Sequence, residues 1–423
     1  MTVSGPAWAR RRGVVVVAVV VAVVVVIACV VAWARWRVAD GDAAWVTQVD
    51  EFSPVAGDDA LVVDHDRSRL LLATETGFAI LARSDGSVLA EHTMDGPWDQ
   101  TGSDVALVDG GVLVAGESVL GVLAGDGTWR WRLPGTARSL WYAGVDPARR
   151  TVVVHDSGAD DIVGHDTRTG ERVWSIDRPI APDLETSPIG EPVAAVLGVD
   201  LLEPERRGLA FGTADGAQHY ERAGNGWIGI GAEAAVAVED GCDMTVVRAD
   251  GPVDVDWPHA GPPDWCDAVA GRGRFAFVES RARTWSLDLT SGEIRELPVD
   301  DRFEEQLRQQ AGVAQAHRWL VLGLPGGLEV YDAATGEVRW THEWRGGGEI
   351  LAVGVDGVVV RDRPGPWDRF VGGAVGGAVM LHDESGARAG TFFLGGAGVN
   401  GARVLGAGEA VVVTDDGDVV MLR

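Results

Sequence analysis

Asp332-Ala-Ala-Thr-Gly-Glu-Val-Arg-Trp340 and Asp166-Thr-Arg-Thr-Gly-Glu-Arg-Val-Trp174 decide the fold. Each sets an aspartate at the head of a turn, a glycine four residues on, and a tryptophan four residues after that. Gly41-Asp-Ala-Ala-Trp45 and Gly127-Thr-Trp-Arg-Trp131 keep the second half of the pattern. The four tryptophans Trp45, Trp131, Trp174 and Trp340 stand 86, 43 and 166 positions apart. These intervals fall near two, one and four multiples of ~42, a spacing typical of β-propeller blades. Weaker copies at Gly86, Gly251, Gly292 and Gly386 fill the intervening slots. Gly41, Gly127, Gly170 and Gly336 supply the turn before each outer strand, and the tryptophan buries its ring between neighbouring sheets.

Between these markers the chain alternates short β-branched runs with Asp-Gly, Ser-Gly and Thr-Gly turns. Runs 70–73 and 77–82, 112–115 and 119–124, and 151–155 and 161–166 read as hairpins. So do 275–279 with 284–289, 319–323 with 328–332, and 410–414 with 418–422. The fold class expected is all-β, a propeller of four-stranded blades. Eight blades are favoured, with seven and nine as alternatives. The number turns on 208–248, where two weak hairpins crowd together after a connection running through 179–204. That stretch is read as one blade with an elaboration. A helical insertion is expected over 300–312, where Phe303 and Leu307 lie one turn apart. The final unit, 401–423, has three strands, so its fourth is expected from 45–52, paired beside 418–422.

Before the repeat the sequence changes character. Residues 14–34 carry no charge and are mostly valine, alanine and isoleucine. As a helix they span about 31 Å at ~1.5 Å per residue, close to a bilayer core. Arg10, Arg11 and Arg12 precede the span, and Arg35 and Arg37 follow it, diluted by Asp40 and Asp42. The larger basic cluster is expected to stay cytoplasmic, with Trp33 and Trp36 at the outer interface. The organisation expected is therefore a cytoplasmic tail (1–13), a transmembrane helix (14–34), a linker (35–44) and an extracytoplasmic propeller (45–423). A cleaved signal peptide and a lipobox at Val26-Ile27-Ala28-Cys29 are the rival readings, and both leave the domain outside.

Net charge is −27 and there is no lysine; beyond Arg37, 31 arginines face 63 acids. So acidic a surface repels phosphate backbones, which argues against nucleic acid as a partner. Partners expected are the lipid bilayer and an envelope protein or cell-wall ligand. Cys242 and Cys266 lie one hairpin apart in a compartment where thiols oxidise, and are read as a candidate disulfide. His65, His155, His165 and His382 each abut an aspartate and read as surface turn residues. Asp415-Asp416-Gly417-Asp418 reads as a hairpin turn, so calcium is not expected. No His-Glu-x-x-His, Gly-x-Ser-x-Gly or P-loop pattern is present, and no catalytic or metal residues are assigned.

The Asp, Thr-Gly and Trp signature of 332–340 and 166–174 resembles the pyrroloquinoline-quinone (PQQ)-type repeat, with 288–292 as a fainter copy. That family includes quinone-dependent alcohol dehydrogenases and non-catalytic propellers, such as the accessory lipoprotein of outer-membrane barrel assembly. The resemblance implies, for a dehydrogenase, adjacent cysteines, a stacked tryptophan and calcium held by carboxylate and amide oxygens. Here Cys29, Cys242 and Cys266 are dispersed and only Asn225 and Asn400 offer asparagine amides. PQQ is accordingly not expected as cofactor. A binding module is the favoured reading; a quinone-dependent oxidoreductase or another propeller enzyme of the envelope is the alternative.

Overall fold

The computed structural model describes residues between 43 and 423. It omits the stretches 50–61, 94–103, 134–139, 178–192, 200–205, 258–267, 298–312 and 364–376, together with shorter turns. The transmembrane expectation at 14–34, the helix expected at 300–312, Gly41, Cys29 and Cys266 lie outside the described residues. Among the described residues no helix is long and apolar enough to cross a membrane.

Among the described residues the strands fall into nine antiparallel sheets, eight of them built from strands consecutive in the chain. Sheets 1, 2 and 3 span 62–93, 104–132 and 140–177. Sheet 4 (193–223) has three strands, and sheets 5, 6 and 7 span 228–254, 268–297 and 313–343. Sheet 8 spans 348–393, and sheet 9 joins 399–422 to Ala43–Gln48. Where one elaborated blade is expected over 208–248, two separate sheets stand. The reason is Val193–Val199, which pairs with Arg206–Gly212 and makes sheet 4 a unit of its own. Its sequence, VAAVLGV, has neither alternation nor a tryptophan marker, so it reads as connection.

Sheet 9 closes on the chain's own beginning. Ala43–Gln48 runs antiparallel to Asp418–Leu422, pairing Ala43 with Leu422 and Gln48 with Asp418. A register shift falls between Ala43 and Trp45. The pairing strand begins two residues before the 45–52 expected, and Val49 continues it with one bond to the Gly417 carbonyl; 50–52 lie outside the described residues.

The core lies between sheets. In sheet 1, Leu70 and Leu72 face Val411, Val413, Val419 and Met421 of sheet 9. Leu71, between them, faces Val105, Leu107, Val112 and Val114 of sheet 2. Successive strand side chains point to opposite faces, so a triple leucine serves two neighbours at once. All three are fully buried, each worth ~1.5–3 kcal/mol relative to exposure. Phe275 and Phe277 of sheet 6 meet Leu320 and Leu322 of sheet 7, and Trp319 and Val321 of sheet 7 meet Val358 and Val360 of sheet 8. Strands buried on both faces read as continuous apolar runs. Packing passes from sheet 4 through sheet 9, across to sheet 1 and on to sheet 3, with first strands neighbouring first strands as far as sheet 2. Face-to-face sheets in chain order, with the first strand zipped to the last, make this a β-propeller.

Candidate functional site

The motif tryptophans act one sheet ahead of their own turn. The Trp45 ring lies on Gly86 of sheet 1, the Trp131 ring on Gly170 of sheet 3, and the Trp340 ring on Gly386 of sheet 8. Gly170 has φ 74, and a Cβ there would come within 2.6 Å of the Trp131 ring. Backbone conformation and space thus both demand glycine. Trp131 Nε1 donates to the Thr167 carbonyl (2.8 Å) and Trp45 Nε1 to the Arg83 carbonyl (3.1 Å), each three residues before the glycine it covers. Trp174 is half-buried, its ring against Gly164 of its own sheet.

Two junctions carry side-chain chemistry beyond this packing. At sheets 9 and 1, Glu409 receives Arg83 Nε at 2.8 Å and Arg423 Nε at 2.7 Å. Arg83 also donates to the carbonyls of Asp66, Leu405 and Gly406, and Arg423 donates to that of Arg83. Thr47 Oγ1 donates to the Gly86 carbonyl. These bonds rivet the closing strand's sheet to sheet 1.

At sheets 7 and 8 a different cluster forms. Strand alternation sets Trp340 and His342 on one face of Val338–Glu343, with Trp344 just beyond. Opposite them stand Asp362, His382 and Thr391, all buried. The His342 and His382 rings meet edge-on with centroids 4.8 Å apart; Trp340 stacks on His382 at 5.4 Å, and Trp344 abuts His342 at 5.1 Å. His342 Nε2 lies 4.0 Å from Asp362 Oδ2. His382 Nδ1 is 3.0 Å from the Gly386 carbonyl, which can only accept, so this nitrogen carries the proton and Nε2 keeps the lone pair of the neutral ring. Burial holds the His382 pKa below its ordinary value; the Gly386 bond opposes this, Arg388 reinforces it and Asp383 opposes it. Trp340 Nε1, His382 Nε2 and Thr391 Oγ1 are buried without a protein hydrogen-bond partner.

His382 thus departs from its reading as a surface turn residue: it is 6% exposed, because its strand position turns the ring inward under Trp340. His165 makes the matching bond from Nδ1 to the Gly170 carbonyl, and burial likewise lowers its pKa. The side chains of His65 and His155 lie outside the described residues. Asp415 and Asp416 stand exposed in a turn with Gly417 at φ 83. Among the described residues no three His, Cys, Asp or Glu side chains converge as metal ligands. Cys242 is buried, disulfide-bonded and at φ 68, a conformation that L side chains rarely adopt. Arg83, Glu409, His342 and Asp362 carry no sequence signal, since they meet only through the stacking of sheets.

No protein-family model matches the sequence, and no curated protein matches it either. Solved structures do. BamB from Moraxella catarrhalis is similar at 14% identity and TM-score 0.42, covering 91% of this chain and 100% of that one. Apo AztD from Citrobacter koseri is similar at 13% identity and TM-score 0.43, covering 77% and 94%. A eukaryotic initiation factor is similar at 9% identity and TM-score 0.52, covering 82% and 89%. Identities this low speak to the fold alone.

Proposed function

We propose that this chain is a membrane-anchored extracytoplasmic β-propeller that acts as a binding module for an envelope protein or cell-wall ligand. The observation that carries the reading is the use to which the repeat motif is put. Its tryptophans and glycines are consumed in packing sheet on sheet, so recognition falls to the loops and rim of a rigid scaffold. The charge-free stretch 14–34, with its flanking arginines, supports a single span with the propeller outside. The turns in which Asp166 and Asp332 accept from the backbone N–H two residues on support a PQQ-type repeat, and the oxidised state of Cys242 supports its pairing with Cys266.

Extraction in gentle detergent, with cross-linking through carboxylates because lysine is absent, tests the binding role. A partner retained at fixed stoichiometry, and released by loop substitutions, is the expected result. A chain recovered alone with and without cross-linking overturns it.

A further inference from the structure

The outer strand of each sheet forms the rim of the propeller, and one sector of that rim differs from the rest. Ala43–Gln48 (AAWVTQ) is, among the described outer strands, the one without a charged residue. Its outward positions are Ala44, Val46 and Gln48, and Val46 is 48% exposed. Val88–Thr93, the outer strand of sheet 1, is its neighbour, joined by the Trp45 ring on Gly86 and by Thr47 Oγ1 on the Gly86 carbonyl. That strand exposes Val88 (43%) and Leu89 (54%), with Glu91 its one acid. Elsewhere the rim is studded with charge. Exposed Val173 stands beside Glu171 and Arg172, exposed Val338 between Glu337 and Arg339, and Arg130 and Arg132 line sheet 2.

The neutral sector is also where the chain comes in. Eight residues, 35–42, lie between the end of the apolar stretch at Ala34 and Ala43. Fully extended they reach about 30 Å, whereas a domain of this length is roughly 50 Å across. The edge bearing Ala43–Gln48 therefore cannot turn away from the bilayer. A domain with a large negative charge is repelled by anionic headgroups wherever its acids face them, and least at this edge, where Asp85 and Glu91 are the exposed acids near Val46, Val88 and Leu89.

Resting on the membrane-anchored reading above, we propose that the rim formed by Val46, Val88 and Leu89 lies against the headgroup region of the bilayer that anchors the same chain. The propeller then stands edge-on to the membrane, with the outer strands of sheets 3 and 7 directed elsewhere.

The test places a fluorophore, through a charged membrane-impermeant maleimide, on Val46→Cys, Leu89→Cys, Val173→Cys and Val338→Cys. Each full-length variant is reconstituted into phosphatidylcholine–phosphatidylglycerol vesicles carrying a nitroxide on the headgroup. Loss of emission at 46 and 89, with emission retained at 173 and 338, is the expected result. Equal quenching at all four positions, or none at 46 and 89, overturns the docking. So does mutual quenching of labels at 46 in a particle of twice the mass, which would put a second copy there. Alkaline carbonate extraction separates the two readings: chain in the pellet with unquenched labels sinks the rim contact alone, and chain in the supernatant sinks the anchor with it.

Discussion

The junction of sheets 9 and 1 and the junction of sheets 7 and 8 are built on one plan and finished differently. Both seat a motif tryptophan on the turn glycine of the next sheet. At the first, the Trp45 indole reaches a carbonyl and Glu409 binds two guanidiniums. At the second, the ring stacks on His382 and its N–H finds no protein acceptor, while His382 Nε2 and Thr391 Oγ1 are buried alongside it. A buried polar group without a partner costs ~1–3 kcal/mol. Closure of the fold is reinforced, whereas the interior junction keeps polar capacity in reserve.

The clasp is the junction whose loss costs most. Deleting 43–49 exposes the edge of Asp418–Leu422 and removes Trp45 from its seat, and should abolish the cooperative melt seen by circular dichroism. If the truncated chain melts as sharply as the full one, the clasp is ornamental. Glu409→Gln leaves Arg83, 13% exposed, without its carboxylate and should cost about 2 kcal/mol in urea unfolding. The same exchange at Glu349, which pairs with Arg361 across a more open part of sheet 8, should cost under ~1 kcal/mol.

Acid should act first at the histidines. His92, His165 and His382 all have pKa values lowered chiefly by burial. The unfolded chain therefore binds protons that the folded chain refuses, starting near the ordinary histidine value of ~6.5. Stability is complete above that pH and falls as pH drops through it toward the folded-state values. His382→Gln should flatten the slope of stability against pH between about 6.5 and 5; an unchanged slope would show that His382 is not held neutral. The smallest effects sharpen the contrast between the indoles. Trp131→Phe loses a hydrogen bond and should cost about 1 kcal/mol more than Trp340→Phe, whose N–H has none to lose. Equal costs would remove the distinction.

Much of the fold was legible because it repeats. The Asp–Gly–Trp spacing marked the turns, and the three-stranded tail at 401–423 announced its missing partner near Trp45. Sheet 4 was illegible because Val193–Val199 shows no alternation and its third strand, Gln218–Ala223, carries no tryptophan. The site was legible only where one residue type does one thing, as with Gly170 under Trp131. Arg83 and Glu409, 326 positions apart, meet because sheets 1 and 9 touch, and a local pattern holds no record of that. His382 was misjudged because an adjacent aspartate suggests a turn, while strand register decides which way the ring faces.

The pairing of Ala43 with Leu422 also sets a timetable. Among the described strands, the one that leaves the ribosome first must wait for the last. With synthesis running at ~5–20 residues per second, the chain between them takes on the order of 20–80 s to appear. Throughout that interval an uncharged, β-prone segment has no native strand partner. Until its partner strand arrives, its native seat is sheet 1, through the Trp45 ring and Thr47 Oγ1 on Gly86.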